Sequence, residues 1–190
     1  MTPKQIFLCG FRGSGKSTVG RILAQKLGFD FVEMDAEIEE ISGQKIAELT
    51  QNGKEWGKFR QLELELLKSF ENRSNIVVSC GGGVGVNSVN GGLEKEFLDS
   101  LKQALVVVLC PTEEVLWERL QSDFESKRSD HRPSLTGNSN ANSEVEKFIS
   151  EQKSVWRERE SLYLGLSKNI CRFENESPEE LTDRIVKYLN

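Results

Sequence analysis

A glycine-rich stretch near the start of the chain has the pattern of a phosphate-binding loop. The run Gly10-Phe11-Arg12-Gly13-Ser14-Gly15-Lys16-Ser17-Thr18 matches GxxxxGK[ST]. Its glycines let the backbone turn tightly and direct N–H groups at an anion, and the helix that follows adds partial positive charge. Lys16 would place a cation on the β- and γ-phosphates, and the Ser17 hydroxyl would ligate Mg²⁺. The motif therefore predicts a site for ATP with Mg²⁺.

Three further groups of residues could bind the molecule that receives the phosphate. Glu33-Met34-Asp35 and Cys80-Gly81-Gly82-Gly83 each follow a β-like run, and Arg60 lies near the start of an amphipathic helix. Asp35 could orient or deprotonate an alcohol, and Arg60 could hold a carboxylate through two hydrogen bonds. Alone, Asp35 could equally cap a helix and Arg60 could be a solvated charge. Together behind a phosphate-binding loop, they predict an acceptor site at the carboxyl ends of the strands.

Apolar runs with β character alternate along the chain with stretches of helical period. The β-like runs are Ile6–Cys9, Phe31–Val32, Ile76–Cys80, Leu105–Leu109 and Ile170–Phe173. The helix-like stretches are Lys16–Leu27, Trp56–Phe70, Glu113–Leu120, Ser143–Leu162 and Pro178–Leu189. This alternation predicts a three-layer α/β fold, in which helices cover both faces of a parallel sheet. Ser177 and Thr112 have the positions of helix N-caps, and Gly28 that of a C-terminal stop.

One polar segment interrupts this alternation. Ser122–Ser143 has little apolar content, carries basic residues near its front and is rich in asparagine towards its end. A loop of that length inside one domain is usually functional or disordered. We expect a lid at about residues 122–143 that closes on bound ligands and carries a catalytic arginine, Arg132, with Arg128 as the alternative.

The length, composition and net charge limit the kinds of molecule that the protein is expected to bind. The 190 residues fit a single domain spanning 1–190, and the net charge of −5 argues against a nucleic-acid partner. No apolar run is long enough for a membrane span or a secretory leader, so we expect a cytoplasmic protein with small-molecule substrates. The cysteines lack zinc spacing and are expected to be reduced core residues, although two on neighbouring strands could form a redox pair.

Taken together, these motifs make the chain similar to the shikimate kinase family over nearly its whole length. The matching pieces are GSGKSTVGRILAQKLG, MDAEIE, KIAEL, FRQLE, VVSCGGGV, HRPSL and RESLY, in the same order and at similar spacing. The resemblance implies transfer of the γ-phosphate of ATP to shikimate, giving ADP and shikimate 3-phosphate, in aromatic amino-acid biosynthesis. It also implies a P-loop kinase fold with a five-stranded parallel sheet and a mobile lid.

The same resemblance implies a role for each matching residue. Lys16, Asp35 and Arg132 would be catalytic, and Arg132 would close onto the transferring phosphate. Arg60 and Arg159 would hold the carboxylate of shikimate. The other implied contacts are Gly81, Gly82 and Gly83 with shikimate, Arg119, Ser177 and Pro178 with the adenine end of ATP, and Ser17 with Mg²⁺.

The chain departs from the family pattern at three places, one of which is the stretch Asn52–Lys58: it is slightly longer and less acidic than usual and should affect the approach to Arg60. Glu33 stands where the family shows an aspartate that supports Mg²⁺ through water, so its metal role stays open. The stretch Gly137–Ser143 lengthens the loop after the HRPSL segment. A gluconate-type sugar-acid kinase, a nucleoside monophosphate kinase and a non-catalytic shikimate-binding module remain as alternatives. With no exposed apolar helix face in the pattern, a monomer is expected.

Overall fold

Five parallel strands form one sheet in the order β2-β3-β1-β4-β5. The structure, a computed structural model, describes residues 5–86, 95–102, 104–126 and 144–189. The strands are β1 Gln5–Cys9, β2 Asp30–Glu33, β3 Ile76–Ser79, β4 Leu105–Pro111 and β5 Ile170–Phe173. All four neighbouring pairs run parallel. The predicted α/β fold with a five-stranded parallel sheet is confirmed.

Helices cover both faces of this sheet. They are α1 Lys16–Leu27, α2 Met34–Ser42, α3 Ile46–Leu49, α4 Gly57–Ser69, α5 Lys95–Leu101, α6 Glu113–Glu125, α7 Glu144–Leu166 and α8 Pro178–Val186, followed by a 3₁₀ turn at Lys187–Leu189. Alternate side chains of a strand point to opposite faces. Accordingly, Phe7 packs in a core with residues of α4, α6 and α7, whereas Leu8 packs in a second core with residues of α1 and α8.

The structure differs from the predicted elements in two respects. Helices α2, α3 and α5 were not predicted, because few of their residues are buried and their helical period is therefore weak. Helix α6 continues to Glu125, so the first residues of the predicted loop 122–143 are helical. Phe124 stacks on Phe148 of α7 at 4.9 Å between ring centroids, which gives this last turn an apolar contact. Residues 127–143, with Arg128 and Arg132, lie outside the described residues.

Helix caps agree in part with the sequence. The Ser177 hydroxyl accepts from the Glu180 N–H at 3.2 Å, and Gly28 ends α1 in the left-handed conformation. Thr112 occupies the N-cap position of α6, but its side chain makes no capping hydrogen bond. Within the described ranges, no helix combines the length and the apolar character needed to cross a membrane.

Candidate active site

The loop between β1 and α1 folds around the ammonium group of Lys16. Its Nζ donates to the carbonyl oxygens of Gly10 at 3.0 Å and Phe11 at 2.9 Å. Burial lowers the pKa of Lys16, while the nearby carboxylates of Asp35 and Glu33 oppose that shift. The backbone thus fixes this cation at the start of α1, where its charge faces little water.

A cavity of about 520 Å³ opens at the carboxyl edge of the sheet and contains most of the predicted site. The predicted residues in its wall are Gly13, Ser14, Gly15, Lys16, Ser17, Thr18, Glu33, Asp35, Arg60, Gly82, Gly83, Arg119, Arg159 and Pro178. Gly81 and Ser177 are not part of the wall, and Arg132 lies outside the described residues. The phosphate-binding loop and the residues predicted to bind the acceptor therefore share one cavity.

The glycines after β3 let charged side chains approach the backbone closely. A Cβ atom on Gly81 would lie 2.6 Å from Glu63 Oε1 and 2.9 Å from Asp35 Oδ1. A Cβ atom on Gly83 would overlap the guanidinium of Arg60. Side chains at these two positions would displace Glu63, Asp35 or Arg60, so the glycines leave the space that these side chains occupy.

Helix α4 holds Arg60 between aromatic rings and a buried carboxylate. The Arg60 guanidinium lies 5.2 Å from the ring centroid of Trp56 and 5.3 Å from that of Phe59. It also forms an ion pair with Glu63, whose side chain is completely buried. Arg60 Nε is buried and has no hydrogen-bond partner among the described residues. The arginine is therefore held in place with a donor still available to a ligand.

Sequence reasoning did not identify Glu63 or Trp56 as part of this site. Glu63 lies three residues after Arg60, a spacing at which side chains meet on one helix face. That spacing was the available signal. Its significance depends on the burial of the pair, which the sequence does not show.

Helix α7 brings a second arginine to the same cavity. Arg159 donates a hydrogen bond to the hydroxyl of Tyr163, while its own Nε is buried without a partner in the described part of the chain. Burial raises the pKa of Tyr163 to about 12, although the Arg159 guanidinium opposes the shift. The Tyr163 ring stacks on Trp156 at 6.0 Å and meets Phe11 edge-on at 6.2 Å. Tyr163 was also not predicted from the sequence as a site residue.

The far end of the cavity is lined by residues of α6 and α8. The Arg119 guanidinium lies 5.4 Å from the ring centroid of Phe173, and Pro178 starts α8 beside it in the wall. Ser177 is exposed and uses its hydroxyl to cap α8. Its predicted contact with the adenine end of ATP thus has no support in the shape of the cavity.

Oxygen groups suited to Mg²⁺ occur near Lys16. Ser17 and Glu33 line the same cavity, and Ser17 Oγ lies 3.5 Å from Ser79 Oγ. A hydroxyl and a carboxylate are hard oxygen ligands of the kind that Mg²⁺ prefers. No cluster of three or more His, Cys, Asp or Glu side chains suited to a metal occurs in the described ranges. The Ser17 hydroxyl and the Glu33 carboxylate fit Mg²⁺, which usually takes one or two protein oxygens and its other ligands from phosphate and water.

The five-stranded parallel sheet and the phosphate-binding loop around Lys16 define the fold of a P-loop kinase. The family model for shikimate kinase matches residues 12–190. The chain is 38% identical to a shikimate kinase of Sulfurihydrogenibium, over 96% of each chain. It is 36% identical to that of Persephonella marina, over 96% of this chain and 97% of the relative.

A solved structure agrees with these sequence relatives. The shikimate kinase of Acinetobacter baumannii in complex with shikimate superposes with a TM-score of 0.78 at 26% identity, covering 97% of this chain and 92% of the other. The chain therefore belongs to the shikimate kinase family, and it is an ATP-dependent kinase.

Proposed function

We propose that the chain transfers the γ-phosphate of ATP to the 3-hydroxyl of shikimate, giving ADP and shikimate 3-phosphate. One observation carries the choice of acceptor: Arg60 and Arg159 line a single cavity with Asp35, and each has a buried Nε without a partner in the described part of the chain. Shikimate carries one carboxylate and several hydroxyl groups, which matches the guanidinium groups of Arg60 and Arg159 and the carboxylate of Asp35. The reaction would serve aromatic amino-acid biosynthesis.

The nucleotide would bind along the loop between β1 and α1. Backbone N–H groups of this loop and the start of α1 would hold the phosphates, and Lys16 would stabilise charge on the transferring group. Bound Mg²⁺ would neutralise phosphate charge, with Ser17 as a direct ligand and Glu33 acting through water. Arg119 and Pro178 would border the adenine.

The acceptor would bind between α2, α4, α7 and the glycines after β3. Arg60 and Arg159 would hold the carboxylate, because planar guanidinium groups match carboxylate geometry. Asp35 would accept the proton of the 3-hydroxyl as the oxygen forms its bond to phosphorus. Both arginines would thereby fix the distance between the reacting hydroxyl and the γ-phosphate, which is a large part of catalysis in phosphoryl transfer.

Arg132 belongs to this proposal through its place in the HRPSL segment, although it lies outside the described residues. It would contact the transferring phosphate from the lid predicted at about 122–143. Arg132→Ala is then expected to lower kcat by about 10²-fold while the dissociation constants of ATP and shikimate change little. A change in KM alone would contradict this role. We further propose that residues 1–190 act as a single domain, as a monomer and in the cytoplasm.

A coupled assay of ADP release tests the proposed function. The assay compares shikimate, quinate, gluconate and nucleoside monophosphates as acceptors at equal concentrations. The expected result is turnover with shikimate that exceeds every other acceptor by orders of magnitude. Preferred turnover of gluconate would indicate a sugar-acid kinase. Shikimate binding without ADP release would indicate a non-catalytic binding module.

A further inference from the structure

The hydroxyl of Tyr163 lies between two parts of the acceptor site. It donates its hydrogen to the carbonyl oxygen of Gly82, in the loop after β3, and accepts a hydrogen bond from the Arg159 guanidinium. Tyr163 is only 2% exposed, so both bonds are largely shielded from bulk water. The hydroxyl therefore links a residue that would grip the carboxylate to the backbone that would contact the ring of the substrate.

A phenol has a single hydrogen to donate, which gives this arrangement a fixed direction. Because the Gly82 carbonyl takes that hydrogen, the lone pairs of the Tyr163 oxygen are left to accept from Arg159. The stacked Trp156 ring and the edge-on Phe11 ring restrict rotation of the phenol. Arg159 is thus bound at one side of its guanidinium while its buried Nε remains available.

We propose that Tyr163 is a positioning residue that sets the orientation of Arg159 for the acceptor carboxylate, using the Gly82 carbonyl as its anchor. This inference deepens the proposed function, on which it rests. A flexible arginine loses rotamer freedom when it binds a carboxylate, and a guanidinium already fixed by a neighbour loses less. Tyr163 does not need to touch the substrate, since it acts through Arg159.

The test is a double-mutant cycle on shikimate binding, measured by calorimetry. Tyr163→Phe removes the hydroxyl and keeps the ring, and we expect it to weaken shikimate binding about 10-fold, as for hydrogen bonds to charged groups. ATP binding should stay within about 2-fold of the wild type, because the ring contacts to Phe11 remain. In an Arg159→Ala background, the same Tyr163→Phe change should alter shikimate affinity by less than about 2-fold, since the residue it orients is gone.

Tyr188→Phe is the matched control. Tyr188 is the only other tyrosine of the chain, and its hydroxyl also donates to a backbone carbonyl, that of Ile170, at 3.4 Å. It does not line the cavity. The control variant should bind both ligands as the wild type does.

Several outcomes would overturn the positioning role. If Tyr163→Phe lowers only the unfolding temperature, or weakens ATP and shikimate equally, the hydroxyl is merely structural. If its effect is as large in the Arg159→Ala background, it does not act through Arg159. A wild-type chain that fails to bind shikimate refutes the proposed function instead, so the two failures are distinguishable.

A second measurement serves if Tyr163→Phe does not fold. In Tyr188→Phe protein grown with 3-fluorotyrosine, Tyr163 carries the only ¹⁹F label. Its resonance should shift when shikimate is added and should respond little in the same protein with Arg159→Ala. A resonance that ignores shikimate, or that responds equally in both proteins, would contradict the proposal.

Discussion

The two ends of the cavity, which we propose hold ATP (the nucleotide end) and shikimate (the acceptor end), are built in different ways. The phosphate-binding part of the nucleotide end comes from one continuous segment, Gly10–Thr18, and its cation is held by two carbonyl oxygens of the same loop. The acceptor end takes residues from α2, α4, α7 and the loop after β3. There, side chains hold other side chains, as Glu63 holds Arg60 and Tyr163 holds Arg159.

The two ends of the cavity should respond differently to amino-acid substitutions. A binding site made by a local backbone keeps its shape when a surface residue elsewhere is replaced. A site assembled from distant elements depends on buried polar contacts, and truncation of one partner leaves the other in a dry environment. We therefore expect substitutions at the nucleotide end to affect chemistry and those at the acceptor end to affect both binding and stability.

The largest effect is expected from Lys16→Met. Loss of the buried cation should lower kcat by about 10³-fold or more, because the charge that develops on the transferring phosphate loses its main protein contact. Steady-state kinetics with ADP detection measure it. Lys26→Met is the control, since Lys26 lies on the same helix in an exposed ion pair with Asp183. Turnover of Lys16→Met within a few-fold of the wild type would contradict the assignment.

Arg60→Ala and Arg159→Ala should each weaken shikimate binding by about 10–100-fold, the value of a charge-assisted carboxylate contact. ATP affinity should change little. Calorimetric titration measures both, and Arg157→Ala, an exposed arginine on the same helix as Arg159, is the control. Unchanged shikimate affinity in both variants would place the carboxylate site elsewhere.

The same two variants should differ in stability. Arg60→Ala removes the ion-pair partner of the completely buried Glu63 carboxylate, and breaking a buried pair in this way costs about 3 kcal/mol or more. Arg159 is bound to a neutral hydroxyl, so its loss should cost about 1 kcal/mol. Urea unfolding of both variants makes the comparison. Equal loss of stability in the two variants would mean that the Arg60–Glu63 ion pair contributes no more to the free energy of unfolding than the Arg159–Tyr163 hydrogen bond.

A smaller effect is expected from Glu33→Ala. If Glu33 supports Mg²⁺ through water, the variant should need several-fold more Mg²⁺ for half-maximal activity, and Glu33→Asp should restore much of the loss. Glu37→Ala, on α2 but outside the cavity wall, is the control. An unchanged Mg²⁺ requirement in Glu33→Ala would remove this residue from the metal site.

The smallest effect is expected from Ser177→Ala. Because the hydroxyl caps α8, its loss should lower the free energy of unfolding by about 1 kcal/mol, and Ser177→Asp should restore it. ATP affinity should not change. Weaker ATP binding in the Ser177→Ala variant would instead support the contact with the adenine end of ATP that the sequence predicts for Ser177.

The two ends also differ in how far the sequence predicts them. The loop around Lys16 and the start of α1 are encoded by consecutive residues, so pattern alone located them at the correct positions. The three glycines after β3 were equally visible. Glu63 and Tyr163 were not recognised as site residues, since their importance comes from burial and from contacts with partners brought together by the fold. Helix α2 was missed as a helix because only Met34 and Ile38 of its residues are buried.

The chemical structure of the product is the most direct test of phosphate transfer to the 3-hydroxyl of shikimate. Protein, ATP, Mg²⁺ and shikimate are incubated, and the product is examined by ³¹P NMR with correlation to its ring protons. We expect one new phosphate monoester, coupled to the proton on the carbon that bears the 3-hydroxyl. Phosphate coupled to a different ring proton would contradict the arrangement of Asp35, Arg60 and Arg159 proposed here, and release of inorganic phosphate alone would contradict the function.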